Sequence, residues 1–263
     1  MVLVQDETVL VEYEPDFDLL FYERRGPCSS ATYREAIQNA IEMVESNKVR
    51  FWLINAASSD RIFYDDQVWL LKMLDSTFYK NNVLEKVALV PPGDLYNLMA
   101  TESILGHILE RTDFEFQYFN DIAVARDWLE ESFREICFYD ENLEIEYDAY
   151  HHWIYANWKG NLDEAAVKRG CELISDLLVA KGCFKLLNDN RMALGNWSDA
   201  TPWLVKNWVP RQEAIGLKAV AWILSPSNLN RLSSLLTVET LNTSIRVEVF
   251  NELSKAREWL QAT

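Results

Sequence analysis

Glycine and proline are scarce: eight and seven in 263 residues, which leaves little room for linkers or low-complexity tracts. No apolar run approaches the ~18 residues of a membrane-spanning helix; the longest candidates are short stretches such as Ala219 to Leu224. The opening MVLVQDETVLVEYE has neither a basic n-region nor a long apolar h-region, so no secretory signal is expected and the expected compartment is the cytoplasm. The four cysteines, Cys28, Cys137, Cys171 and Cys183, show no CxxC spacing. That removes zinc knuckles and dithiol redox motifs and leaves buried thiols as the reading. GxSxG, P-loop and GxGxxG patterns are absent, so neither a catalytic residue nor a cofactor is assigned. Basic charge is also in short supply: 25 Lys and Arg against 41 Asp and Glu give a net charge of -16. Such a field repels phosphate backbones and anionic bilayers, and nucleic acid is not expected as a partner. The densest basic clusters are pairs such as Arg24 and Arg25, read as ordinary surface residues.

What is present is a soluble globular composition, with 49% hydrophobic residues and a mean hydropathy of -0.16, and an internal repeat. Phe119-Asn120 followed by Ala125-Arg126-Asp127-Trp128-Leu129 recurs as Phe250-Asn251 followed by Ala256-Arg257-Glu258-Trp259-Leu260. Upstream, a constant offset pairs Glu12-Tyr13 with Glu146-Tyr147, Gly26 with Gly160, and Trp69-Leu70-x-Lys72 with Trp203-Leu204-x-Lys206. The same offset pairs Pro92 with Pro226 and Leu95 with Leu229. A chain of this length exceeds the usual ~100–200 residues of one domain, and we expect two diverged copies, residues 1–134 and 135–263.

Reading the copies together predicts their elements. Val9, Val11 and Tyr13 alternate with polar residues, as do Leu143, Ile145 and Tyr147, the period of a half-buried strand. A second strand, Leu19 to Glu23 or Trp153 to Trp158, runs into the shared glycine. An amphipathic helix follows, Ala31 to Val44 or Ala165 to Leu178, with Ser29, Ser30 and Asp163 available as caps. Next come a central strand (Val49 to Ile54 or Cys183 to Leu187), a helix around Trp69 or Trp203, a strand (Val87 to Val90 or Val220 to Leu224) and a helix from Leu95 or Leu229. The last strand carries Phe114, Phe116 and Tyr118 or Ile245, Val247 and Val249, and Asn120 or Asn251 is the expected cap of the closing helix. The order ββαβαβαβα implies an α/β fold with a mixed sheet and packed helices in each copy.

The paired opening strands ending in glycine, the apolar central strand and the closing FN…AR(D/E)WL segment resemble a SpoIIAA-like domain, of the STAS and SEC14-like group. That resemblance implies a cytosolic interaction or ligand-binding module rather than an enzyme. It also implies a phosphorylated serine after the central strand, in a DSxG-like turn. Here the first copy has Ser58 and Ser59 within Asn55 to Asp60, the second has no serine from Asp189 to Leu194, and neither has DSxG. Capping or loop serines are the preferred reading.

His151 and His152, read as neighbours on a strand, face opposite sides and lack a completing ligand cluster, so no metal site is assigned. Seven of the ten tryptophans fall in the second copy. Trp197, Trp203 and Trp208 lie close together, just after Asn188, Asp189, Asn190 and Arg191, and this segment is the candidate ligand or partner surface. The leading expectation is a non-catalytic interaction or regulatory module that pairs its two copies within one chain and binds a protein partner. A binder of a small apolar ligand or lipid is the alternative, and an unrecognised enzyme the third. Phosphopeptide mapping of protein from its own cells is expected to find neither Ser58 nor Ser59 modified.

Overall fold

Alternation of apolar and polar side chains builds the opening strands of each half, and continuous apolar runs build the central ones. The computed structural model describes residues 1–46, 48–74 and 83–263. The chain divides into two units, Met1–Ser132 and Phe133–Thr263. The sheet of the first unit is β1 (Val2–Gln5), β2 (Val9–Glu14), β3 (Leu19–Arg24), β4 (Phe51–Asn55), β5 (Lys86–Val90) and β6 (Glu115–Tyr118), in that spatial order. The second unit repeats it with β7 (Arg134–Tyr139), β8 (Leu143–Asp148), β9 (Trp153–Asn161), β10 (Lys185–Leu194), β11 (Ala219–Ile223) and β12 (Arg246–Phe250). The first three strands of each sheet pair antiparallel and the last four pair parallel.

Parallel pairing forces each connection back across the sheet. In the first unit α1 (Ser30–Glu45), α2 (Tyr64–Met73) and α3 (Leu95–Leu109) follow one another on one face. There Tyr33, Ile37 and Ile41 of α1 meet Leu20, Tyr22 and Trp52. The closing helix α4 (Ile122–Glu130) lies against β4 and β5 through Ala125 and Leu129, both fully buried. In the second unit α5 (Glu164–Lys181), α6 (Thr201–Trp203) and α7 (Val209–Ile215) contribute to the larger core, and α8 (Asn228–Thr240) lies against β10 with Asn230, Ser233, Ser234 and Thr237 buried. Closing helix α9 (Leu253–Gln261) forms a separate core with Trp153, Leu187 and Ile223. Among the described residues no helix is long and apolar enough to cross a membrane.

Ser29 and Asp163 cap α1 and α5 as expected, accepting from the backbone N–H of Thr32 and Ala166. The repeat is visible in the backbone as well. Asp18 and His152 both have positive φ, 51° and 58°, as do Gly26 and Gly160 at 58° and 64°.

Several expectations are corrected. Each sheet begins with a further edge strand, β1 or β7, whose side chains are largely exposed or half-buried and carry little apolar signal. The closing helices start one residue later than expected: Asp121 caps α4, accepting from Ala123 and Val124 N–H, and Glu252 occupies the cap position of α9. Asn251 instead accepts from Arg231 Nη1 at 2.8 Å. The offset of 134 holds through the central strands, where Phe51 and Lys185 occupy equivalent ladder positions, but Lys86 corresponds to Ala219. One residue of difference thus enters before β5, so the identities Pro92/Pro226 and Leu95/Leu229 are out of structural register. His151 and His152 sit in the turn between β8 and β9 rather than on a strand. Cys171 and Cys183 are buried, whereas Cys28 and Cys137 are only half-buried. Arg24 is no surface residue; it is 5% exposed.

Between α6 and α7 the chain runs as a π-helical segment, Leu204–Trp208, with the Val209 N–H bonded to Leu204 O. Pro210 follows at the start of α7, and its missing N–H and ring clash with the preceding turn explain why the ladder widens there. Gly170 of α5 lets Trp158 pass beneath the helix: a Cβ there would sit 2.3 Å from Trp158 Cη2 and 2.7 Å from Leu143 Cδ2. Gly170→Ala is therefore expected to destabilise the second unit by about 1–3 kcal/mol, despite the better helix propensity of alanine. Urea unfolding followed by tryptophan fluorescence reads this out.

Candidate functional site

Of the sequence-derived candidates in the second unit, Asn188, Asp189, Asn190 and Arg191 lie on both faces of one strand. β10 does not end at Leu187; it continues through Leu194 with an irregularity between Asp189 and Met192. Asn188, Asp189 and Asn190 are therefore buried strand residues, 6%, 1% and 2% exposed. Asp189 accepts from Arg191 Nη2 at 2.7 Å, from Arg191 Nε at 3.0 Å and from the Tyr155 hydroxyl at 2.9 Å. Burial, then the Asp189 charge, pushes the Tyr155 phenol well above its ordinary range. Towards the larger core, Asn188 Oδ1 accepts from Trp158 Nε1 at 2.8 Å, and Asn190 Nδ2 donates to Ser234 Oγ at 3.2 Å.

The candidate tryptophans, by contrast, all pack on the larger core. Trp208 donates to Cys171 O and Ser175 Oγ at 2.8 and 2.9 Å, and Gln212 Nε2 reaches the same hydroxyl at 2.7 Å. Trp197 stacks on Trp222, with ring centroids 6.2 Å apart. Trp203 lies half-buried beneath the Lys168 ammonium. Asn188, Trp197 and Trp208 come together with Trp158 and Trp222 around a cavity of about 50 Å³, room for about one or two water molecules. Asp189 and Arg191 are outside its lining. The histidines contact protein groups: His151 Nδ1 is 2.9 Å from Asp148 Oδ2, and His152 Nδ1 is 2.9 Å from the Tyr147 hydroxyl.

The first unit holds a larger cavity in the corresponding place, about 130 Å³, between its sheet and α1–α3. Its wall is apolar over Ile37, Ile41, Val87, Leu89 and Ile104. Tyr22, Arg24, Tyr33 and Ser59 also line it. β3 aims Leu20, Tyr22 and Arg24 to the same side by strand alternation, and all three are buried. Arg24 Nη2 donates to Asp60 O at 2.7 Å, and the guanidinium lies over the Tyr33 ring at 5.6 Å. Ser59 is held by a bridge to Gly26, with Gly26 N–H donating to Ser58 O and Asp60 N–H to Gly26 O. The Tyr22 hydroxyl and Ser59 Oγ are buried and find no hydrogen-bond partner among the described residues. Burial, the largest influence on each, pushes the Tyr22 and Tyr33 phenols far above their ordinary range. Of the two serines, Ser58 is exposed and Ser59 is 9% exposed. Neither caps α2, where Phe63 occupies the cap position.

Sequence reasoning passed over this cavity. The one available signal was the phase of β3, which puts Arg24 on the side of Leu20 and Tyr22. In the second unit, 134 residues on, Ala156, Trp158, Val167 and Ala193 stand where the first has Tyr22, Arg24, Tyr33 and Ser59. The polar wall is replaced by apolar groups, and an indole fills much of the space.

Each unit is an α/β fold of one six-stranded mixed sheet packed with helices, the SpoIIAA-like arrangement expected of both copies. A solved structure similar to this chain is an uncharacterized protein of the DUF3478 family with a SpoIIAA-like fold from Shewanella loihica PV-4. It is 18% identical, the match covers 48% of this chain and 98% of that one, and the TM-score is 0.34. No family model and no curated protein matches the chain.

The Asp189 pair is structural and asymmetric: Asp189 is buried, whereas the Arg191 side chain is 43% exposed. Arg191→Ala strands a buried carboxylate and is expected to destabilise the second unit by roughly 2–3 kcal/mol. Asp189→Asn, which leaves a hydratable guanidinium, should be milder. Urea denaturation of the two variants gives the order.

Proposed function

We propose that the protein acts by binding rather than by catalysis, and that its first unit takes up a small amphipathic molecule in the cavity between the sheet and α1–α3. The observation that carries this reading is the cavity of about 130 Å³ with two orphaned hydroxyls in its wall. Protein interiors contain few voids larger than a water molecule, and an engineered apolar cavity of ~150 Å³ takes up benzene. An orphaned buried hydroxyl is unfavourable by ~1–3 kcal/mol until it meets a partner, so the cavity gains from an occupant with polar atoms at one end. The second unit, with tryptophan in the equivalent space, is on this reading the copy that has given up the ligand.

A second reading, a protein-binding surface, is favoured by one separate observation. Tyr96 and Met99 on α3, and Leu229 and Leu232 on α8, are exposed apolar residues at equivalent places in the two units. Contiguous exposed apolar side chains mark contact surfaces. The descent of residues 1–134 and 135–263 from one ancestor, the pairing of the copies within the chain and a cytoplasmic location belong to the same proposal. The net charge of -16 supports partners other than nucleic acid.

Native mass spectrometry of the full chain, purified gently from its own cells, is the test. A small excess mass is expected, and Ile104→Phe, whose ring occupies the cavity, should remove it while holding or raising Tm, as cavity-filling changes commonly add ~0.5–2 kcal/mol. A chain that carries no small molecule, and whose cavity methyl resonances do not respond to any small amphipathic compound, removes the proposal. A co-purifying protein released by Met99→Asp and Leu232→Asp supports the second reading.

A further inference from the structure

We infer that the occupant of the first-unit cavity is a short-chain alkyl carboxylate, its carboxylate held by Arg24, Tyr22 and Ser59. This rests on the cavity reading above and adds the chemistry of the head group. Arg24 is the informative residue. It is 5% exposed and lines the cavity, yet among the described residues no carboxylate lies within ion-pair distance of it. Among the described residues its side chain donates to the neutral carbonyl of Asp60 alone. The nearby buried carboxylate, Asp66, is already engaged by Arg34 Nε at 2.7 Å and by the Ser30 hydroxyl at 2.7 Å. A guanidinium offers five N–H donors and no acceptor, and a buried charge without a counter-ion is strongly unfavourable. The protein has thus placed a cation, with donors to spare, beside an apolar space.

The neighbouring groups point to the same chemistry. The Tyr22 hydroxyl and Ser59 Oγ–H are unsatisfied donors in the same wall. Burial keeps the Tyr22 phenol protonated, so it is present as a donor throughout the physiological range. A carboxylate matches a guanidinium bidentately and still has lone pairs for two hydroxyls. Its single negative charge balances that of Arg24. A phosphate dianion would bring excess charge into an apolar cavity, and an amide or alcohol would leave the guanidinium uncompensated. The volume of about 130 Å³ sets the whole occupant at about five or six heavy atoms, by comparison with benzene in the ~150 Å³ cavity, so that about two or three apolar atoms stand beside the carboxylate. The second unit serves as an internal control. Trp158, Ala156 and Ala193 replace the three groups together, and the cavity there falls to about 50 Å³.

Isothermal titration of the full chain with butanoate and with its neutral isostere butanamide tests the assignment. Butanoate is expected to bind at least roughly tenfold tighter, the value of hydrogen bonds to a charged group. Arg24→Met should erase that preference and leave butanamide binding in place. Tyr22→Phe, which removes an orphaned hydroxyl and is expected to fold at least as well as the parent, should weaken butanoate by several-fold while the Tm of the free protein holds or rises. Equal binding of both probes, unchanged in Tyr22→Phe, overturns the carboxylate assignment and leaves the cavity reading standing. Binding of neither probe overturns both.

Discussion

Parallel pairing of four strands is the constraint on which each unit depends. Because β3 to β6 and β9 to β12 run parallel, every connection must cross back over the sheet, and the crossover helices collect on one face. The central strands are then covered on both sides, which is why Phe51 and Trp52 are both buried although they point to opposite faces. The distance between sheet and helices is fixed by this layering. What fills the gap depends on a few side chains near the carboxyl ends of β3 and β9. An arginine and two tyrosines leave space in one unit; a tryptophan under Gly170 takes most of it in the other.

Much of this layering was readable from periodicity and caps. Val9, Val11 and Tyr13 alternate because one side of β2 faces the core, and Ser29 and Asp163 stand where α1 and α5 need acceptors. The edge strands β1 and β7 escaped because an exposed edge needs no apolar face. The polar run Asn188 to Arg191 reads as a loop by composition, yet it continues β10 because each buried polar group finds a partner: Trp158, Ser234, or the Tyr155 and Arg191 pair around Asp189. Tertiary satisfaction overrode local propensity there. The cavity was illegible for a different reason: a void is a property of several elements packed together, and nothing in any one of them records it. Arg24, beside Arg25, reads as surface charge, and only its phase on β3 says otherwise.

The two halves also share a backbone frame that their side chains do not. Positive φ recurs at Asp18 and His152 and at Gly26 and Gly160, so the hairpin and the strand exit have the same shape in both. Length changes enter only in connections, one residue before β5 and two more before β6, and leave the ladder of parallel strands intact. The π-helical segment ahead of Pro210 is another such accommodation, since widening one turn lets a helix continue where proline withholds a donor.

The unequal voids give the halves different mechanical characters. Unfolding abolishes internal empty space, and hydrostatic pressure favours whichever state occupies less volume. Of the two equivalent cavities, the one of about 130 Å³ has more to lose than the one of about 50 Å³. Compression therefore acts more strongly on the space beneath α1–α3 than on its counterpart, and an occupant that fills that space also hardens it against compression.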